Sequence, residues 1–275
     1  MNSSSLPAPS TKPLLRSDKS EKKSRIDPWW GLVALVVGLI ALLYFGSPDP
    51  YQKMLPFLKD GIWITVKITL VSFLLVVVLG LGVGLARLSK NTIIRGIATV
   101  YVEVIRGIPM MVQIIFWYFA LPAIVQQLGV SLKSDALMNF RPDGTTMAIF
   151  GLTFGYAAYM SEVYRSGIQS ISRGQMEAAR SLGMTYFQAM RYVILPQAVR
   201  VILPPLGNEF ITLLKDTALV SAVAVPDLTR RGREFQASTF IIIETWVMVA
   251  LIYLTMTLLA TRLVSWVEKR SKYER

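Results

Sequence analysis

Residues 174–196 read GQMEAARSLGMTYFQAMRYVILP, a polar and charged stretch between long apolar segments. It contains Gly174, the run Glu177-Ala178-Ala179, then Gly183 after three intervening residues and, after nine more, Val193-x-Leu195-Pro196. A loop of this length between membrane spans indicates docking rather than mere connection, and the other interpretation is an ordinary amphipathic connector. Thr185 is expected to cap a second short helix that ends before Leu195-Pro196, where the next span starts.

The segments on both sides of this loop are apolar enough to cross a membrane. The chain has 275 residues, of which 17% are charged, against about 25% in a typical soluble domain. Runs of about 20 apolar residues match the thickness of a hydrocarbon core. They predict an all-α polytopic membrane protein with about six helices, near residues 29–46, 62–86, 98–121, 145–165, 199–220 and 241–262.

The distribution of basic residues predicts the orientation of these spans. Lys and Arg number 19 in the segments on the side of the N-terminus and 7 on the opposite side, so the positive-inside rule favours an N-in, C-in topology. The same topology puts the 174–196 loop in the cytoplasm. Residues 1–28 are predicted to be a disordered basic cytoplasmic tail and 271–275 a short tail. Residues 47–60 are predicted to form an exterior turn with a short interfacial helix, and 122–144 an exterior loop.

The composition excludes several kinds of function. The chain has no Cys and no His, which removes thiolate metal sites, disulfides and the usual general base. No catalytic or metal-binding residue is predicted, and the chain is not expected to be an enzyme. A G-x4-G-K-[ST] phosphate loop is also missing from the sequence, so ATP could be used only through another polypeptide. The net charge of +12 reflects the cytoplasmic loops of a membrane chain and predicts no nucleic-acid partner.

Charged residues inside spans are candidates for function because they are costly there. Two pairs spaced i, i+3 are Glu103–Arg106 and Glu162–Arg165. Both are expected near the cytoplasmic ends of their spans, where they are either structural ion pairs or a gate that rearranges as the spans move. Gly107 and Pro109 follow the first pair and should interrupt its helix.

The fifth span carries the densest group of polar residues, which are Asn208, Glu209, Thr212, Lys215 and Asp216. Glu209 lies about 15 Å along the helix from Val199, close to the midplane. A free amino acid carries an ammonium and a carboxylate, and a binding site in the membrane must offer both signs. Glu209 or Asp216 could meet the ammonium and Lys215 the carboxylate. Alternatively, the three charges satisfy one another between helices.

The loop resembles the EAA loop of the permease subunits of ABC importers, whose pattern is EAA-x3-G-x9-I-x-LP, with Val193 in place of Ile. Three further segments resemble the polar amino acid branch of these permeases, the His/Glu/Gln/Arg/opine type. They are residues 101–113, 162–184 and 208–217, followed by Ala218 where many members have Ser. The resemblance covers roughly residues 50–270.

This resemblance implies a fold and a set of partners. The fold is the type I ABC importer transmembrane fold, with a permease domain over 47–270, a coupling loop over 170–197 and an accessory helix at 29–46. Residues implied to contact the ATPase are Gly174, Glu177, Ala178, Ala179, Gly183, Leu195 and Pro196, and the Glu, Lys and Asp of the fifth span are implied to lie at the substrate site. The implied partners are ABC ATPase subunits, which would hold ATP and Mg so that this chain needs no cofactor, an extracytoplasmic amino-acid-binding protein, and a second copy or a homologous permease. The implied location is the bacterial inner membrane.

Two other classes of function compete with this interpretation. An ion-coupled secondary transporter or channel would explain the buried charges, but it leaves the EAA-like loop unexplained. An intramembrane enzyme would need a nucleophile and a base, and the chain has neither His nor Cys nor a Gly-x-Ser-x-Gly elbow. The sequence leaves open which amino acid moves and whether the permease is a homodimer or a heterodimer.

Overall fold

The computed structural model describes residues 28–272, with side chains described to residue 270, and this range is helical without a strand. Its helices are α1 (Pro28–Gly46), α2 (Pro48–Arg87), α3 (Thr92–Gly107), α4 (Met110–Ile115), α5 (Leu121–Leu132), α6 (Asp135–Met138), α7 (Gly144–Gln169), α8 (Arg173–Ser181), α9 (Tyr186–Ala189), α10 (Leu195–Asp216), α11 (Leu228–Thr239) and α12 (Ile243–Lys272). The predicted basic tail lies, apart from Pro28, outside the described residues.

Four helical stretches are long and apolar enough to cross a membrane: Pro28–Gly46, Pro48–Arg87, Met110–Leu132 and Ile243–Arg270. The other two predicted spans correspond to α7 and α10, with 26 and 22 residues. At 1.5 Å per residue these helices are roughly 39 and 33 Å long, enough to span a bilayer. They are less apolar because α7 carries the Glu162–Arg165 pair and α10 carries the polar cluster of the fifth span. Six crossings return the chain to the side from which it started, as the predicted topology requires.

The predicted boundaries of the third span are wrong. No continuous helix covers 98–121, because α3 ends at Gly107 and Ile108 is extended, with φ −103° and ψ 131°. Pro109 causes this break, since it has no N–H to donate and disfavours a helical conformation in the residue before it. The helix resumes at Met110 and continues through a π-helical stretch, Phe116–Ala120, into α5. Helix α5 therefore occupies part of the predicted exterior loop.

The segment 47–60 differs in part from its prediction. The chain turns at Asp49, whose backbone is not helical, but the helix that follows is not separate and continues into the second span, so that α2 has 40 residues. At roughly 60 Å this helix is about twice as long as a hydrocarbon core is thick, and its outer part must project beyond it. There it packs with α11 and α12 in an outer cluster that includes Tyr51, Met54 and Leu228.

Close contact between α2 and α7 forms the centre of the fold. Gly80 faces Met160, and Gly84 faces the backbone of Ser161 and the side chain of Tyr164. Small residues allow two helix backbones to approach in a membrane. Gly82 points elsewhere and meets nothing within 4 Å. Of these three alternating glycines, two therefore allow close packing on α7 and the third does not contribute to it.

Helix α1 is peripheral. It packs against α12 and α2, with Val36 buried among largely exposed apolar residues. Near its start, Trp30 lies under the guanidinium of Arg262 on α12, with Cζ 5.5 Å from the ring centroid. A helix that is apolar all round and buried on only one side suits a position facing lipid.

Candidate functional site: coupling loop and charged pathway

The coupling loop begins with a capped short helix. The hydroxyl of Ser172 accepts a hydrogen bond from the Gly174 N–H at 3.3 Å and starts α8. Glu177 and Ala178 are exposed, whereas Ala179 is buried. Helix α8 ends before Gly183, whose φ of +84° lies in the left-handed region. Only glycine adopts this conformation without strain, so the turn between the two short helices requires it.

The second short helix begins with a capping box. Thr185 accepts a hydrogen bond from the Gln188 N–H at 3.3 Å, and the Gln188 side chain accepts one from the Thr185 N–H at 2.8 Å. The prediction of Thr185 as a cap is therefore confirmed. The prediction that this helix ends before Leu195-Pro196 is wrong: it continues through a π-helical turn, Met190–Ile194, into α10. The wider turn accommodates Pro196, which has no N–H to donate.

The most exposed large apolar side chains of the coupling loop, which we call the docking patch, are Leu182, Tyr186, Phe187 and Tyr192, whereas Leu195 is 40% exposed. Leu182 is 82% exposed and Phe187 is 70% exposed. Several large apolar side chains exposed in one polar loop indicate a candidate interaction site. The three aromatic residues fall in the nine positions that the EAA pattern leaves unspecified, so the motif did not identify them. Their aromatic character in an otherwise polar stretch was the available signal.

The pair Glu162–Arg165 is present as an ion pair near the cytoplasmic end of α7. A third residue, absent from the prediction, completes it: Arg87, at the end of α2, also pairs with Glu162. Arg165 additionally donates to the Oε1 of Gln169 at 2.6 Å. The side chain of Arg87 is only 11% exposed, so the carboxylate of Glu162 ties α2 and α7 together at this end.

The pair Glu103–Arg106 is arranged differently. Among the described residues these two side chains form no ion pair with each other. Arg106 instead lies over the ring of Tyr159, with Cζ 5.2 Å from the centroid. Helix α3 starts at Thr92, so Arg106 lies roughly 21 Å along it from its first residue, and it precedes the apolar stretch Met110–Leu132.

The polar residues of α10 divide between two environments. Asn208, Thr212 and Lys215 recur at helical spacing on a face that this chain leaves exposed, whereas Glu209 and Asp216 are half-buried. In the described part of the chain, Lys215 pairs with neither carboxylate. It borders a small cavity of about 280 Å³ beside Tyr253 of α12. The alternative of a mutually satisfied Glu–Lys–Asp cluster therefore does not describe this structure.

Two tyrosines of α7, missed by the sequence analysis, connect the charged residues. Tyr156 is buried and donates from Oη to the Oδ2 of Asp216 at 2.6 Å. Its ring centroid lies 6.2 Å from that of Tyr159, which in turn lies beneath Arg106. Arg106 and Asp216 are also the charged groups that act on Glu209. Three helices thus contribute one connected set, with two carboxylates, one guanidinium and two phenol rings.

Comparison with known proteins identifies this arrangement. Residues 77–273 match the family described as the binding-protein-dependent transport system inner membrane component. The chain belongs to this family. The glutamine transport system permease protein GlnP of Escherichia coli K12 is 38% identical over 218 residues, which cover 79% of this chain and 94% of GlnP. The arginine transport system permease protein ArgU of Corynebacterium glutamicum is 39% identical over 240 residues, which cover 83% of this chain and 75% of ArgU.

Solved structures agree with this assignment. A crystal structure of an amino acid ABC transporter with histidines matches with a TM-score of 0.70 and 39% identity, covering 79% of this chain and 95% of the other. The inward-facing MetNI methionine ABC transporter matches with a TM-score of 0.64, covering 80% of this chain and 98% of the other. Its identity is 21%, so this second likeness shows the fold alone.

These findings confirm the type I ABC importer fold and the recognition of an amino-acid ABC importer permease. The chain is a multi-pass membrane permease and not an enzyme, because in this family ATP hydrolysis belongs to a separate subunit. The family works with ATPase and binding-protein partners. The interpretation as an ion-coupled transporter or channel is set aside. Helix α1 precedes the matched residues, which begin at residue 77.

Proposed function

We propose that this chain is the permease of a bacterial inner-membrane ABC importer for a polar amino acid, and that its coupling loop docks onto the ATPase. The loop would transmit ATP-driven movement to the charged pathway between the spans. A binding protein would deliver the amino acid on the outer side. A second copy of the chain or a homologous permease would complete the pathway.

The docking patch is the observation that carries the coupling role. It lies on the cytoplasmic side in the predicted topology, and its side chains contact little of their own chain: Tyr186 and Tyr192 are both more than 60% exposed. The left-handed turn at Gly183 fixes the angle between α8 and α9, and this angle sets the shape of the patch. Glu177 and Gly174 flank it in exposed positions of α8.

The charged residues Arg106, Glu209 and Asp216, with Lys215, support an amino acid as the substrate class. Relatives are named for glutamine, arginine and L-cystine transport, and all three substrates share an α-ammonium and an α-carboxylate. Glu209 and Asp216 offer negative charge to an ammonium. Lys215 and Arg106 are the cations available to a carboxylate, and the charge of Arg106 already reaches Glu209.

The exposed stripe of α10 supports a second permease. Asn208, Thr212 and Lys215 present polar groups on a membrane-depth helix with no cover from their own chain. Polar groups at this depth are tolerated where they face protein or a water-filled cavity. A pathway between two permeases provides both. On the cytoplasmic side, the Arg87–Glu162–Arg165 cluster would serve as the gate.

The coupling role is tested by removing one ring from the docking patch. Phe187→Ala deletes a side chain that is 70% exposed, and Phe45→Ala deletes one that is 76% exposed on α1. Neither change opens a cavity, so both variants should fold normally. We expect Phe187→Ala to lose the copurifying ATPase and ATP-driven uptake in proteoliposomes, and Phe45→Ala to keep both. Full ATP-driven uptake by Phe187→Ala would contradict the coupling role.

Gly183 provides a second test of the same role. A Cβ at this position meets nothing within 4 Å, so Gly183→Ala adds only the cost of a left-handed conformation, about 1–2 kcal/mol. Gly183→Asn tolerates that conformation better. If the turn sets the patch, uptake should rank wild type, Asn, Ala and then Arg, while the spans stay folded in all four. Normal uptake by Gly183→Arg would count against the proposal.

A further inference from the structure

The break between α3 and α4 leaves backbone groups without their helical partners. Ile108 is extended and Pro109 has no N–H, so the last carbonyls of α3 lose the donors that a continuous helix would supply. Away from water, an unsatisfied backbone group costs several kcal/mol. The Ile108 N–H reaches the carbonyl of Ile105 only at 3.4 Å, so a donor from a side chain would stabilise the break.

Gln113 is that donor. Its Nε2 donates to the carbonyl of Ile105 and to the carbonyl of Ile108, both at 2.8 Å. The first carbonyl belongs to α3 and the second to the extended residue, so one amide joins both sides of the break. Both N–H groups of the amide are used in this way. The side chain is 4% exposed, which leaves it little freedom to choose other partners.

The carbonyl oxygen of the same amide indicates which group of the Gln113 side chain is used. Its Oε1 is buried without a hydrogen-bond partner, which costs about 1–3 kcal/mol. The neighbouring helix α7 makes room for the group with a glycine, because a Cβ at Gly155 would lie 3.1 Å from this oxygen. The amide is thus kept for its donors, although its acceptor is unsatisfied.

The break decides where Arg106 points. Arg106 lies two residues before the extended Ile108 and faces Tyr159 on α7, within electrostatic reach of Glu209. We propose that Gln113 is a positioning residue that fixes the angle between α3 and α4 and so holds Arg106 in the transport pathway. The effect on transport rests on the proposed function, whereas the effect on the helix angle does not.

The test compares Gln113→Met with a matched control. Methionine keeps the length of the side chain but has no N–H. Gln126→Met removes a similar bond, since the Gln126 Nε2 donates to the carbonyl of Phe140 at 2.7 Å, away from Arg106. In the complete importer with its ATPase and binding protein, we expect Gln113→Met to lower the maximal uptake rate by roughly 10-fold or more. The amino acid concentration for half-maximal uptake should not change, because the binding protein sets it.

A second substitution separates positioning from stability. Pro109→Ala restores an N–H that can bond to the carbonyl of Ile105 as in a continuous helix. In the Gln113→Met background it should restore the thermal midpoint but not uptake, because a straightened helix moves Arg106. If Pro109→Ala restored uptake together with stability, or if Gln113→Met transported at the wild-type rate, Gln113 would not be a positioning residue.

A third measurement does not depend on transport. The chain has no cysteine, so spin labels on Ile97→Cys in α3 and Ile115→Cys in α4, both exposed residues, are the only labels. We expect Gln113→Met to broaden the distance distribution between them and Gln126→Met to leave it unchanged. An unchanged, narrow distribution in Gln113→Met would contradict the proposal that Gln113 fixes the angle between α3 and α4. A wild-type importer without amino acid uptake would overturn the proposed function instead.

Discussion

Close packing of α2 on α7 predicts different outcomes for three chemically identical substitutions. In Gly80→Ala, the new Cβ would lie 2.7 Å from the Cβ and 2.8 Å from the Cγ of Met160. Carbon atoms in contact normally lie about 3.5–4.0 Å apart, so the overlap is roughly 1 Å. The Met160 Cβ is fixed to its backbone and cannot rotate away. Gly82→Ala meets nothing within 4 Å and is the matched control.

The magnitude follows from two opposing contributions. Alanine in place of a helical glycine gains about 0.5–1 kcal/mol, and this gain is common to both variants. Overpacking of a close contact costs about 1–3 kcal/mol and applies to Gly80→Ala alone. The difference between the two variants therefore isolates the overlap. It corresponds to a thermal midpoint lower by roughly 2–12 °C in Gly80→Ala than in Gly82→Ala.

Intrinsic fluorescence of the six tryptophans can follow thermal unfolding of the purified chain in mild detergent. Gly84→Ala should lie between the other two variants, because its Cβ would be 3.0 Å from the Ser161 carbonyl oxygen and 3.1 Å from the Tyr164 Cβ. An order of Gly82, Gly84 and Gly80 from most to least stable is expected. A midpoint of Gly80→Ala equal to or above that of Gly82→Ala would refute the close approach of α2 and α7.

Three further substitutions address the ion cluster, the pathway and the coupling loop. Glu162→Gln leaves Arg87, which is 11% exposed, without its carboxylate, so the free energy of unfolding should fall by about 1–3 kcal/mol. The double variant Glu162→Gln/Arg87→Met should lose less stability than the sum of the two single variants. Strictly additive losses would contradict the pairing. Tyr156→Phe removes the 2.6 Å hydrogen bond to Asp216 but keeps the ring; uptake should fall while the chain stays folded, and wild-type uptake would show that Asp216 needs no such orientation. Thr185→Ala removes the capping box at a cost of about 1 kcal/mol, so amide hydrogen exchange at the start of α9 should accelerate. Thr185→Ser should exchange like the wild type. Equal exchange rates in all three proteins would contradict the cap.

Most of the spans and the short-range structure of the 174–196 loop could be predicted because each depends on a local pattern. Long apolar runs fix where helices cross, and the position of Lys and Arg fixes their direction. The cap at Thr185 also follows from residue types at short spacing. In each case the determining residues lie within one or two turns of one another, and this is the range over which a sequence can be interpreted alone.

The third span shows how a local signal can be present and yet underused. Gly107 and Pro109 were expected to interrupt a helix, but hydropathy does not register an interruption between apolar residues such as Ile108 and Met110. The span was therefore placed across the break. The backbone preference of the residue before a proline indicates the break, whereas a hydropathy average over 20 residues does not show it.

The remaining features depend on residues distant in the chain. Arg87 meets Glu162 across 75 positions, and Tyr156 meets Asp216 across 60. Spacing rules for one helix cannot supply such partners. The predicted pair Glu103–Arg106 had ideal spacing on one helix face, but a cross-helix contact with Tyr159 takes its place. An aromatic face on the neighbouring helix competes with an exposed carboxylate on the same helix.

The unbroken course of the chain from Tyr186 to Asp216 has a mechanical consequence for the proposed coupling. A helix that ended before Pro196 would leave a flexible joint between the docking patch and the pathway. The π-helical turn at Met190–Ile194 preserves continuity instead, so 31 residues form one element roughly 46 Å long. Its cytoplasmic end carries the patch, and its outer end carries Asp216. Displacement of the patch by an ATPase would therefore be transmitted along this element towards Asp216, whose hydrogen-bond partner Tyr156 lies on α7, the helix on which α10 packs.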